Sequence, residues 1–134
     1  MFKTCSKRDE LIMDITEIRY TAATRGYYYQ VQISPMVMQI RMDRNTADEL
    51  IYRVDAENWD ALLAHIEAID LKKLESIQGS TELQAVDRSA YATLRVFTTE
   101  RQFQSTPFDH GNPPEEIKSL VGAILELAES SAND

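Results

Sequence analysis

A single cysteine, Cys5, stands in the whole chain, so no internal disulfide can form and no cysteine-based metal set can be assembled. Histidine occurs at His65 and His110. Neither lies at ligand spacing from the other or from Cys5, so no metal ion is expected. The 4 glycines supply no Gly-rich phosphate loop, and neither a Gly-x-Ser-x-Gly turn nor a cysteine nucleophile in context occurs. No cofactor is expected. Basic residues are also in deficit: 14 Lys and Arg stand against 22 Asp and Glu, a net charge of −8. A nucleic-acid binder needs clustered cations to neutralise phosphates, and here they are scattered, which excludes that class. No apolar run approaches the about 18 residues of a membrane span. The opening MFKTCSKRDE holds no apolar stretch that could act as a signal peptide, so the chain reads as cytoplasmic. The alternative is a lipid-anchored envelope protein: Cys-Ser-Lys before a polar spacer is how many processed bacterial lipoproteins begin, with Cys5 as the anchor if a signal stood upstream.

What is present fits one globular domain of 134 residues with 43% hydrophobic side chains. Residues 1–13 read as a flexible segment, 14–129 as a single domain and 130–134 as a loose tail. ITEIRY is strand-like, and Thr24-Arg25-Gly26 is a turn. In YYYQVQIS, Tyr27, Tyr29, Val31 and Ile33 alternate with Tyr28, Gln30, Gln32 and Ser34. MVMQIRMD resumes the alternation after Pro35 with Met36, Met38, Ile40 and Met42, a stripe assigned to the core. Leu50, Tyr52 and Val54 mark a fourth strand. The period then changes. Asp55 is placed as N-cap, and Trp59, Leu62, Leu63, Ile66 and Ile69 give the stripe of an amphipathic helix of about four turns. A connection follows, with one helical turn around Leu71 and Leu74 and a loop at Gln78-Gly79-Ser80. Residues 90–97 and 101–105 form a second hairpin. Pro113, Pro114, Glu115 and Glu116 open a last helix whose stripe is Ile117, Leu120, Val121, Ile124, Leu125 and Ala128. The order β-β-β-β-α-β-β-α implies an α+β fold: an antiparallel sheet of about six strands with two helices packed on one face.

Candidates for chemistry are few. Asp109-His110 is read first as a turn and cap, because an orienting carboxylate normally reaches an imidazole from elsewhere in the fold and not from the next residue. Helix entry leaves the His110 side chain unexplained. Asp87-Arg88 and Arg25 are placed as a structural pair or an anion-receiving group, which with Asp109 and His110 would gather at one end of the sheet. On the solvated sheet face, Tyr28, Gln30 and Arg41 make a candidate protein-binding surface.

Ile18-Arg19-Tyr20 leading to Thr24-Arg25-Gly26-Tyr27, Trp59 opening a helix, Asp87 before a strand, and Phe108-Asp109-His110-Gly111-Asn112-Pro113-Pro114 before the last helix together resemble a family of small bacterial α+β proteins of uncharacterised activity, with TRG and FDxGxPP signatures, over most of residues 14–128. The resemblance implies that Arg25, Gly26, Asp87, Asp109, Gly111 and Pro113 matter. It also implies that some members are lipid-anchored in the cell envelope, while others lack a signal. The leading expectation is a non-enzymatic binding or interaction module, monomeric or an edge-to-edge homodimer, with a protein partner or small ligand. The alternatives are a small hydrolase or ligand-processing enzyme using Asp87, Asp109 and His110, and an acidic inhibitor or immunity-type protein that binds one basic partner.

Overall fold

A computed structural model describes residues 15–24, 26–42, 49–76 and 90–132. The expectations for Cys5, Arg25, Asp87-Arg88 and the loop Gln78-Gly79-Ser80 lie outside these residues.

The alternating segments form strands β1 (Ile15–Thr24), β2 (Tyr27–Ile33), β3 (Val37–Arg41) and β4 (Glu49–Arg53), then, after the first helix, β5 (Tyr91–Thr98), β6 (Gln102–Gln104) and β7 (Phe108–Asp109). They make one antiparallel sheet in the order β4-β3-β2-β1-β5-β6, with β7 also pairing β5. The β1–β2 turn is completed by Gly26, whose φ of 83° is a conformation that glycine alone adopts without strain. Helix α1 (Ala56–Glu67) and helix α2 (Lys118–Ala132) contribute Trp59, Leu62, Ile66, Leu120, Val121, Ile124 and Ala128 to the core. These meet Ile18, Tyr20, Val31, Ile33, Met38, Ile40, Leu94 and Val96 from one face of the strands. The α+β architecture with helices on one face is thus the one the alternation dictates. Each fully buried aliphatic side chain contributes about 1.5–3 kcal/mol against exposure, so this face dominates stability.

Several local expectations fail for identifiable reasons. Of the methionine stripe, Met38 is buried, but Met36 and Met42 are 74% and 56% exposed, since one lies in the β2–β3 turn and the other past the end of β3. Leu50, on the same face as Tyr52 and Val54, is 42% exposed, because β4 is an edge strand with one neighbour among the described residues. Asp55 occupies the N-cap position of α1 without a side-chain cap bond, and α1 ends at Glu67. Ile69 is buried in the turn beyond, held by Ile69 N–H to the Ile66 carbonyl at 2.9 Å. Leu71 and Leu74 are buried in a 3-10 turn, Leu71–Ser76.

The last helix starts differently from the expectation. Both prolines precede it: Pro114 is extended, a 3-10 turn Glu115–Ile117 follows, and α2 begins at Lys118 with no side-chain cap from Asn112 or Asp109. At the other end α2 runs on to Ala132, so residues 130–132 are helical where a loose tail was expected. The Ser130 hydroxyl donates to the Leu127 carbonyl at 3.2 Å. No helix among the described residues is long and apolar enough to cross a membrane.

Candidate functional site

Strand register assembles the site. β1 places Tyr20 at the centre of the core face, and β2 brings Tyr29 opposite Ala22 and Tyr27 opposite Thr24. On the far side of β1, β5 pairs with β7 so that Phe108 lies opposite Ala92 and Asp109 opposite Tyr91. The His110 N–H then donates to the Ala90 carbonyl at 2.9 Å, which carries the ladder one residue further and holds the imidazole at the sheet end where β1 and β2 meet.

There the His110 Nδ1 lies 2.6 Å from the Tyr20 hydroxyl. The imidazole is ringed by tyrosines, with centroid distances of 5.7 Å to Tyr20, 6.1 Å to Tyr27 and 6.5 Å to Tyr29; Phe108 packs 6.2 Å from Tyr20. Tyr20 is fully buried. Burial, followed by the neighbouring Tyr27, Asp109 and Tyr29, pushes its phenol well above the ordinary tyrosine range. Burial also pushes Tyr29 up, with Tyr27 and Glu129 adding to the shift. His110 is shifted the other way: burial holds it below its ordinary value, and Asp109 opposes this only in part.

The direction of this bond follows the imidazole tautomer. With the phenol as donor, its one hydrogen goes to Nδ1, and a neutral imidazole then carries its own proton on Nε2. In that tautomer His110 is a donor through Nε2–H, with Nδ1 turned to the Tyr20 hydroxyl and the ring part-buried.

The ring borders a recess of about 290 Å³ between the sheet and α2, walled by Tyr27, Tyr29 and His110 and floored by Ile40, Leu125 and Ala128, with Glu129 at its side. Two other hollows are of similar size, about 250 Å³ between α1 and α2 and about 290 Å³ beside Ile69 and Lys73. Volume does not distinguish them. Chemistry does, because the His110 recess alone of the three is lined by aromatic rings with perturbed titration.

Asp109 and His110 do not form a pair. The Asp109 Oδ1 accepts from the Gly111 N–H at 2.8 Å, and the Asp109 carbonyl accepts from the Asn112 N–H at 3.0 Å, so the carboxylate closes its own turn. Its Oδ2 is buried without a partner among the described residues. A Cβ at Gly111 would stand 3.3 Å from that Oδ1, so a larger residue there requires the carboxylate to give by a few tenths of an ångström. Among the described residues no three His, Cys, Asp or Glu side chains come together as a metal ion would need.

Tyr28, Gln30 and Arg41 lie on the opposite face of the sheet, away from the recess. Gln30, expected as an open contact residue, is only 8% exposed. It accepts from the Tyr28 hydroxyl at 3.1 Å and donates to the Thr21 hydroxyl at 3.4 Å, which makes it a brace between β1 and β2. Arg41 pairs with Glu49 at 3.3 Å, and Arg19 pairs with Glu17 at 2.6 Å while lying 4.8 Å over the Phe97 ring. Of the seven residues singled out from sequence, the recess gathers His110, with Asp109 beside it. Tyr20, Tyr27 and Tyr29 fall on the apolar face of their strands by alternation. Their signal was chemical: a buried phenol needs a partner, and three inward tyrosines on adjacent strands require one between them. The chain matches no protein-family model, no curated protein and no solved structure.

Proposed function

We propose that the chain is a non-enzymatic binding module whose ligand site is the recess beside His110. The observation that carries this reading is the 2.6 Å contact between Tyr20 and His110, which, with the phenol as donor, leaves the imidazole to donate from Nε2. A general base needs a free lone pair within reach of a proton, and a triad histidine needs a carboxylate on its other nitrogen. Here that nitrogen is met by a phenol, and the adjacent carboxylate is spent on Gly111. That arrangement supports recognition over base catalysis by His110.

What remains is recognition: an apolar floor, aromatic walls and one oriented donor. Such a site takes a small, partly apolar molecule that presents an acceptor oxygen, and its volume lies at the lower end of the range for small-molecule pockets. Glu129 at the side disfavours an anion, so a neutral carbonyl or amide is the preferred acceptor.

The test is a set of small aromatic amides and their parent compounds lacking the carbonyl, followed by chemical-shift changes in labelled protein. Amides should shift the signals of Tyr27, Tyr29, His110 and Leu125, and the parents should bind about tenfold or more weakly. Tyr27 is 41% exposed, so Tyr27→Ala should weaken binding while changing stability by about 1 kcal/mol or less. Shifts that map elsewhere, or substrate turnover lost with His110→Ala, would overturn the reading.

A further inference from the structure

Among the described residues, the two edges of the sheet are built differently. One is made of β6 and β7, three and two residues long, separated by Ser105-Thr106-Pro107; short edge strands and a proline are features that block further pairing. The other is β4, five residues of sequence Glu-Leu-Ile-Tyr-Arg without proline, carrying Leu50 at 42% and Ile51 at 62% exposure.

The hydrogen-bond phase of β4 shows which groups face outward. Val54 N–H donates to the Met36 carbonyl at 2.9 Å, flanking the register pair Val37–Arg53. In an antiparallel ladder that bond makes Arg53 a non-hydrogen-bonded position towards β3, and alternation makes Ile51 and Glu49 the same. The N–H and C=O groups of Glu49, Ile51 and Arg53 therefore point away from the sheet, while those of Leu50 and Tyr52 bond to β3.

The side chains of this strand complement themselves under a two-fold axis. Set antiparallel to a copy of itself and centred on Ile51, the strand brings Ile51 against its copy, Leu50 against Tyr52, and Glu49 against Arg53, opposite charges at both ends. The three outward-facing residues coincide with the three hydrogen-bonded pairs of that arrangement. A shift of one residue would break both the charge match and the hydrogen-bond phase.

We infer that β4 is a homodimerisation edge, pairing antiparallel about Ile51 with a second copy of this chain and joining the two sheets into one. Glu49 already holds Arg41 at 3.3 Å within its own chain, so the partner's arginine completes an Arg–Glu–Arg row across the junction. The exposed Ile51 side chain gains a cross-strand partner of its own kind, and Leu50 gains the ring of the partner's tyrosine.

Sedimentation across a concentration series tests this on the full chain. The wild-type protein should show a monomer–dimer equilibrium, with the Ile51 amide protected from hydrogen exchange in the dimer and the Leu50 and Tyr52 amides protected in both states. Ile51→Pro removes only an outward donor and should yield a folded monomer, with circular dichroism verifying the fold. Glu49→Arg alone and Arg53→Glu alone each place like charges opposite one another at both ends and should weaken self-association by about tenfold. Mixed together, these two variants complement each other and should form a heterodimer that neither forms with itself. A chain monomeric at every accessible concentration, a dimer indifferent to Ile51→Pro, or a mixture that fails to associate would each overturn the inference.

Discussion

Tyr20 and His110, 90 positions apart in the chain, meet at 2.6 Å, hydroxyl to Nδ1. That bond joins the central strand to the turn before the last helix, and it engages one nitrogen of the only imidazole lining the recess. Removing it should therefore be visible in two ways. Tyr20→Phe keeps the buried ring and deletes the donor, leaving Nδ1 without its partner, and should cost about 1–3 kcal/mol in urea unfolding. It should also release the tautomer, so that the imidazole nitrogen shifts of His110, expected to report a single Nε2–H form in the wild type, become those of a mixture.

The same site sets a pH dependence with a definite sign. His110 is held below its ordinary value of 6.5 by burial, so on acidification the unfolded chain takes up a proton before the folded one. Stability is then fully present above pH 6.5 and falls as pH drops from there through the lower folded value. Tyr20 and Tyr29 act at the other end. Their raised phenols mean that the unfolded state ionises first, so stability present below pH 10 is lost as pH rises beyond it. Urea midpoints measured across both ranges should decline at each end. Replacing His110 with glutamine should flatten the acid limb, and Tyr20→Phe should reduce the alkaline one.

Asp109 makes a second, opposite prediction. Its Oδ1 is used by Gly111 and its Oδ2 has no partner among the described residues. A buried carboxylate oxygen in that state is a cost, and an amide in its place keeps the acceptor while discarding the charge. Asp109→Asn should leave stability unchanged or raise it by up to about 1 kcal/mol, whereas Asp109→Ala should lose about 1–2 kcal/mol through the broken turn. Thermal unfolding of the pair separates the two roles of the side chain.

The sheet was legible because period-two alternation in YYYQVQIS and its neighbours is a local signal that burial of one face makes obligatory. The helices were legible for the same reason at period 3.6. What was not legible depended on register between distant strands. Adjacency rightly carried no weight for an Asp109–His110 pair, but the partner that His110 does have, Tyr20 on β1, could not be read from its neighbours, whereas Asp109 bonds two residues ahead in its own turn. Met36 and Met42 misled because the alternating pattern runs past both ends of β3, and a residue in the turn or beyond the strand no longer keeps the strand's face.

Gln30 illustrates the same limit on the other face. Alternation turned it outward correctly, but Tyr28 and Thr21 close over it. Gln30→Ala should cost about 1 kcal/mol in unfolding free energy by stranding the Tyr28 hydroxyl's contact and the Thr21 acceptor, with no change in ligand binding at the recess, which lies across the sheet.

The break between β6 and β7 supplies the last case, because it keeps β5 satisfied where its partner strand is interrupted. Between the register pairs Arg95–Gln104 and Ala92–Phe108, three residues face two of β5, so the β6–β7 side carries one residue too many and the regular ladder is interrupted. Ser105 fills the gap with both its backbone and its side chain: its N–H donates to the Leu94 carbonyl at 2.8 Å, and its hydroxyl accepts from the Leu94 N–H at 2.9 Å. Leu94 and Ser105 are both buried, so water cannot replace the hydroxyl. Ser105→Ala should thus leave an unpaired amide in the core and lose about 1–3 kcal/mol, more than its loss of one oxygen from a surface would cost. Hydrogen exchange at Leu94 should accelerate in that variant, while the amide of Val96, in register with Phe103, keeps its protection.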